Sequence, residues 1–163
     1  MRQSARSIVA AILSVALLIG CAVPPRSAPA VSQILFVCEH GNVKSLMAAS
    51  YFNQLAQARG LPWRGISRAS APDSTAVPPR IVAGLSADGF DVRTFRPVAL
   101  SAADVSASRV VVTIGTPLPG ELARGAIVEQ WNDVPAASID YAAARSSLKK
   151  HVQVLLDQLV AER

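Results

Sequence analysis

Cys38 closes a continuous apolar run, Gln33-Ile-Leu-Phe-Val37, and opens the segment Glu39-His40-Gly41-Asn42-Val43-Lys44-Ser45. The run has the length and β-rich composition of a strand buried on both faces. Beyond Ser45, Ala48, Phe52, Leu55 and Ala56 recur at helical spacing, and Gly60 supplies a stop. A short loop between a buried strand and a helix N-terminus leaves backbone N–H groups converging on one point, with the helix dipole adding positive potential. Such a loop binds anions. A cysteine at its mouth is placed to work as a nucleophilic thiolate. The bland alternative makes Cys38 a small buried hydrophobe at a strand end.

Three further strands and three further helices follow from pattern. Residues 63–68, 110–114 and 126–131 read as strands. Residues 77–88 open with prolines, carry Val77, Ile81 and Leu85 on one stripe, and end at Gly89. Ser101 and Asp104 have the spacing of a capping box, so a short helix begins there. Residues 140–161 form a long helix with Leu148, Val152, Leu155 and Leu159 as its apolar stripe. Strands alternating with helices predict a doubly wound, four-stranded parallel sheet with flanking helices. No internal repeat is apparent.

Within this frame the segment Cys38 to Ser45 resembles the phosphate-binding loop of low-molecular-weight protein tyrosine phosphatases and the related arsenate reductases. That family reads cysteine, five residues, arginine, serine after its first strand. The likeness extends through Ile66-Ser-Arg-Ala-Ser-Ala-Pro72, Gly89 to Pro97, Leu100-Ser101 and Arg109 to Ile114, and covers about residues 33–160. It implies Cys38 as the nucleophile on phosphorus, Ser45 as a hydroxyl bonded to the thiolate, and the backbone of Glu39, His40, Gly41, Asn42, Val43, Lys44 and Ser45 as the phosphate cradle. Lys44 stands where the family has arginine. An ammonium is a flexible point charge, whereas guanidinium grips two oxygens in a planar fork, so anion binding is easier to keep than transition-state stabilisation. His40-Gly41 replaces the usual Gly-Asn, and Gly41 can take the left-handed turn the asparagine holds. Glu39 opposes thiolate and substrate unless it points outward.

The resemblance also implies a general acid after the last strand. Asp133, in Asp133-Val-Pro135, is the first candidate, because strand ends deliver groups to the carboxyl edge of a parallel sheet. Asp140 competes with it; a turn role for Asp133 and a helix cap for Asp140 are the structural alternatives. Implied substrates are phosphate, phosphotyrosine or another phosphomonoester, hydrolysed through a cysteinyl-phosphate. Two alternatives stand beside hydrolysis: a phosphate- or phosphoprotein-binding module without turnover, and arsenate reduction by a single cysteine using an external thiol. No cofactor or metal is expected, since Cys38, Glu39 and His40 are consecutive and rarely point to one centre, while His151 is expected on a solvated face of the last helix.

The N-terminus reads as an address. Arg2 and Arg6 precede an apolar run from Ile8, and Leu18-Ile19-Gly20-Cys21 resembles the bacterial lipobox. The expectation is a signal peptide over 1–20, a lipidated Cys21 heading a Pro/Ala/Ser tether over 21–32, and a low-molecular-weight phosphatase-like domain over 33–163 anchored to the periplasmic side of a bacterial membrane. Composition agrees with one folded domain. Of 163 residues, 51% are hydrophobic and 17% charged, which excludes disorder as the main state. Two cysteines exclude a disulfide scaffold. The net charge of +5 suits anionic partners, but the basic residues are scattered, so nucleic acid is not expected as a partner.

Overall fold

The computed structural model describes residues 32–162. The expected signal peptide, Cys21 and most of the tether lie outside those residues. Strand β1 (Ser32–Cys38) is followed by α1 (Lys44–Ala58), β2 (Trp63–Ala69), α2 (Pro79–Ala87), α3 (Ala102–Ser106), β3 (Ser108–Ile114), α4 (Gly120–Ala123), β4 (Val128–Trp131) and α5 (Tyr141–Ala161). The sheet runs β2-β1-β3-β4 and every pairing is parallel. The strand order reverses between β1 and β3, so both strand ends open onto one crevice, as a doubly wound sheet requires.

Period-two alternation sorts β1 between two cores. Ile34, Phe36 and Cys38 face the larger cluster with Phe52 of α1 and Leu148, Val152, Leu155 and Leu159 of α5. Leu35 and Val37 face a smaller one with Val105 and Val111. Both faces of the strand are therefore dry, which is why its sequence is unbroken in apolar residues. Phe36 sits with its ring centroid 5.5 Å from Phe52 and 5.7 Å from Trp131, tying α1 to β4 across the sheet.

The expected helices form with their caps. Ser101 accepts from the Asp104 N–H while the Asp104 carboxylate accepts from the Ser101 N–H, completing the box. Asp140 caps α5 by accepting from the Ala143 N–H at 2.9 Å. Three details depart from the sequence pattern. Val77 is buried but precedes α2, which begins at Pro79. The break after β3 contains the four-residue helix α4, and β4 begins at Val128 rather than at Ala126. These differences arise where short apolar runs carry no decisive period. Among the described residues no helix is long and apolar enough to cross a membrane.

Candidate active site

The register aligns Cys38 with Ala69, and Ile114 with Trp131, so the strand ends form one edge. Above it lies a cavity of about 480 Å³. Its wall is contributed by the segment after each strand: Cys38 to Lys44 after β1, Asp73 and Ser74 after β2, Gly115 after β3, and Ala136 to Ser138 after β4.

The Cys38 loop is tightly specified. Gly41 has φ +68°, and a Cβ there would lie 2.7 Å from the Ala69 Cβ and 2.8 Å from its nitrogen. Only glycine fits. Asn42 is buried and donates to the Ala76 carbonyl at 2.7 Å. The Ser70 and Ala71 N–H groups donate to the carbonyls of Cys38 and Glu39 at 3.0 and 2.9 Å. The loop after β2 is thus stitched to the loop after β1.

Helix α1 begins without a side-chain cap, leaving its first-turn amides to the loop. Cys38 Sγ receives the Ser45 N–H at 3.5 Å and lies 2.9 Å from Ser45 Oγ. Ser67 Oγ, buried on β2, is 2.8 Å from Ser45 Oγ and 2.9 Å from the Gly41 carbonyl. Its single hydrogen serves one of these at a time. When Ser67 donates to Ser45, the Ser45 hydrogen is directed to sulfur, and three residues from β1, α1 and β2 form one relay ending on the thiol.

Lys44 Nζ occupies the space over Gly115: a Cβ on that glycine would come within 2.6 Å of the ammonium nitrogen. Among the described residues Lys44 has no carboxylate within ion-pair distance, so its charge is available to the cavity it lines. Glu39 points outward, its side chain 66% exposed. Val43 lines the wall beside Lys44.

Asp133 lies elsewhere. Its carboxylate is exposed and held by His151 Nε2 at 2.8 and 3.0 Å, and it does not line the cavity. Its own backbone N–H, then His151, hold its carboxyl below the usual carboxylate range. His151 in turn is stacked on Trp131, centroids 4.8 Å apart, rather than standing on a solvated face. Asp140 serves as the α5 cap and is also absent from the cavity wall. His151 holds the Asp133 carboxylate away from the cavity wall. The carboxylate that does line the cavity with Cys38, apart from Glu39, is Asp73. Its side chain comes from the loop after β2, whose course no local pattern reveals. Ser67 was equally hidden, since only strand alternation decides which face a polar residue takes. Among the described residues no three His, Cys, Asp or Glu side chains gather as a metal site.

Residues 33–134 match the family described as Low molecular weight phosphotyrosine protein phosphatase. The chain belongs to that family. Curated proteins return no match. Among solved structures, a thioredoxin-dependent arsenate reductase of Corynebacterium glutamicum is 21% identical with a TM-score of 0.65, over 83% of this chain and 65% of that one. This chain therefore spans less than two thirds of that reductase. A YwlE mutant from Bacillus subtilis is 21% identical with a TM-score of 0.67, over 78% and 98%. A low molecular weight protein tyrosine phosphatase from Bacillus subtilis is 18% identical with a TM-score of 0.66, over 80% and 99%. At this identity the structures show the shared fold. Within the family match, this chain carries lysine at residue 44, and Asp133 falls at the end of the matched region.

Proposed function

We propose that the protein captures tetrahedral oxyanions at the Cys38 loop and hydrolyses phosphomonoesters there. The thiolate attacks phosphorus, the P–O bond to the leaving group breaks, and its electron pair leaves with the oxygen, which takes a proton. Water then attacks phosphorus, the P–S bond breaks, and the electron pair returns to sulfur as phosphate departs. The observation that carries this reading is the Cys38 sulfur held by the hydroxyl and amide of Ser45 at an uncapped helix N-terminus, facing a cavity lined by Lys44, which has no ion-pair partner among the described residues.

Membership of the family favours phosphate or phosphoprotein substrates. The cavity wall carries no aromatic side chain among the described residues, so a phosphotyrosine ring would rest on Pro78, Ala136 and Ala137. Lys44 in place of arginine favours a second reading, an anion-binding module with little turnover. Arsenate reduction is a third. Cys38 is the free cysteine among the described residues, so reduction there requires an external thiol.

An aryl phosphate assay of the full chain beside Cys38→Ser separates these readings. Hydrolysis lost in Cys38→Ser is expected, and hydrolysis retained in it overturns the mechanism. Phosphate binding without turnover, unrescued by Lys44→Arg, supports the binding module instead. Arsenate-dependent oxidation of a small thiol supports the reductase. We also propose export as a lipoprotein through Cys21; a Cys21→Ala chain that still partitions with membranes and carries the same mass of mature N-terminus counts against it.

A further inference from the structure

The proposed hydrolysis needs a proton for the leaving oxygen, and neither Asp133 nor Asp140 lines the cavity. We propose that His40 is the proton donor and that Asp73 positions it; this rests on the phosphatase reading above.

His40 and Asp73 both line the cavity that holds Cys38. His40 Nδ1 lies 2.9 Å from Asp73 Oδ1. The carboxylate approaches off the line of the N–H, so the contact is an ionic one, and Nδ1 is shut away from solvent. Nε2 lies 3.9 Å from the Glu39 carboxylate, too far for a hydrogen bond, and makes no hydrogen bond among the described residues. One ring nitrogen therefore lies against a carboxylate, and the other is without a hydrogen-bond partner among the described residues.

Hydrogen bonds on either side of Asp73 tie its loop to the Cys38 loop. Asp73 belongs to the segment that Ser70, Ala71 and Asn42 bond to the Cys38 loop, so its carboxylate and the imidazole are carried on two loops joined by three hydrogen bonds. An imidazole on the wall of the cavity that holds Cys38, with a carboxylate against one nitrogen and the other nitrogen free of hydrogen bonds among the described residues, has the form of a general acid. In the first step, the Cys38 sulfur forms its bond to phosphorus while the His40 Nε2 proton passes to the departing oxygen, leaving a neutral ring and an alcohol. In the second, that ring takes a proton from the attacking water as the P–S bond breaks. Protons and electron pairs balance over the cycle, and no other reactant is required.

The test is dependence on the leaving group. p-Nitrophenolate departs without a proton, whereas phenolate is helped by one. His40→Asn is expected to lower kcat/KM, which reports the first step alone, by about 100-fold for phenyl phosphate and by less than about 5-fold for p-nitrophenyl phosphate. Asp73→Asn is expected to show the same selectivity with a smaller loss, which a purely structural role would not produce. His40→Gln serves as the second variant, and inhibition by inorganic phosphate reports whether the loop is intact in each. Equal losses on both esters, or none, with wild-type turnover present, overturn the His40 assignment alone. A selective loss in Asp133→Asn instead of His40→Asn overturns it too. Wild-type protein that hydrolyses neither ester overturns the phosphatase reading and this assignment together.

Discussion

At the residue scale, the nucleophile is conditioned by neighbours that no one of them could replace. Ser67 does not line the cavity, yet its hydroxyl bonds the Ser45 hydroxyl that in turn bonds the Cys38 sulfur. Ser67→Ala is expected to cost one hydrogen bond of about 1 kcal/mol, roughly a five-fold loss in kcat/KM, with slower alkylation of Cys38 by iodoacetamide. Unchanged alkylation would place the relay outside the chemistry. Lys44 is the other test at this scale. Gly115 leaves room for its ammonium, so Gly115→Ala should displace that charge and weaken inhibition by inorganic phosphate. Lys44→Arg should raise turnover through bidentate contact with the anion, as measured by kcat on an aryl phosphate.

At the scale of elements, the loop and the caps divide the work. The loop between β1 and α1 depends on one left-handed residue pressed against β2. Gly41→Ala adds a Cβ into the Ala69 backbone at φ +68°, and is expected to cost about 1–3 kcal/mol, read by urea denaturation, together with loss of phosphate binding. The box on α3 does not line the cavity. Ser101→Ala should cost about 1 kcal/mol in the same measurement with kcat unaltered. Contrasting the two variants separates loop shape from general stability.

For the whole molecule, a polar clamp joins the helices that flank the larger core. Tyr51 of α1 and Tyr141 of α5 both donate to Asp88 Oδ2, at 2.7 and 2.9 Å, and Arg145 pairs with the other carboxylate oxygen. Burial alone would raise the Asp88 carboxyl; the two hydroxyls and the guanidinium outweigh it and hold the group below its usual value of 3.8. Burial and the same carboxylate push Tyr141 up to about 12 and Tyr51 further still. A carboxyl depressed in the folded state stabilises it fully above the unfolded value, and that contribution is lost as pH falls through the folded one. Asp88→Asn should therefore lower stability by about 1–3 kcal/mol near neutrality, and the gap to wild type should close below about pH 4. A gap independent of pH in urea titrations would show that the clamp acts through packing alone.

What is repetitive or local could be taken from the chain directly. The dry strand before Cys38, the helix after Ser45, the α5 stripe and the Ser101 box each follow from period or spacing within a dozen residues, and together they imply the parallel sheet and an anion loop at its edge. Tertiary structure alone decided which distant side chains meet that loop. Ser67 turns inward because β2 presents it to α1, and Asp73 reaches His40 because three hydrogen bonds bind its loop to the neighbouring one. Asp133 has the sequence position expected of an acid but is drawn to His151, which Trp131 holds in place by stacking. The physical reason is the same in each case. Periodicity records which face of an element is buried, whereas the path of a loop is set by long-range contacts that leave no periodic trace.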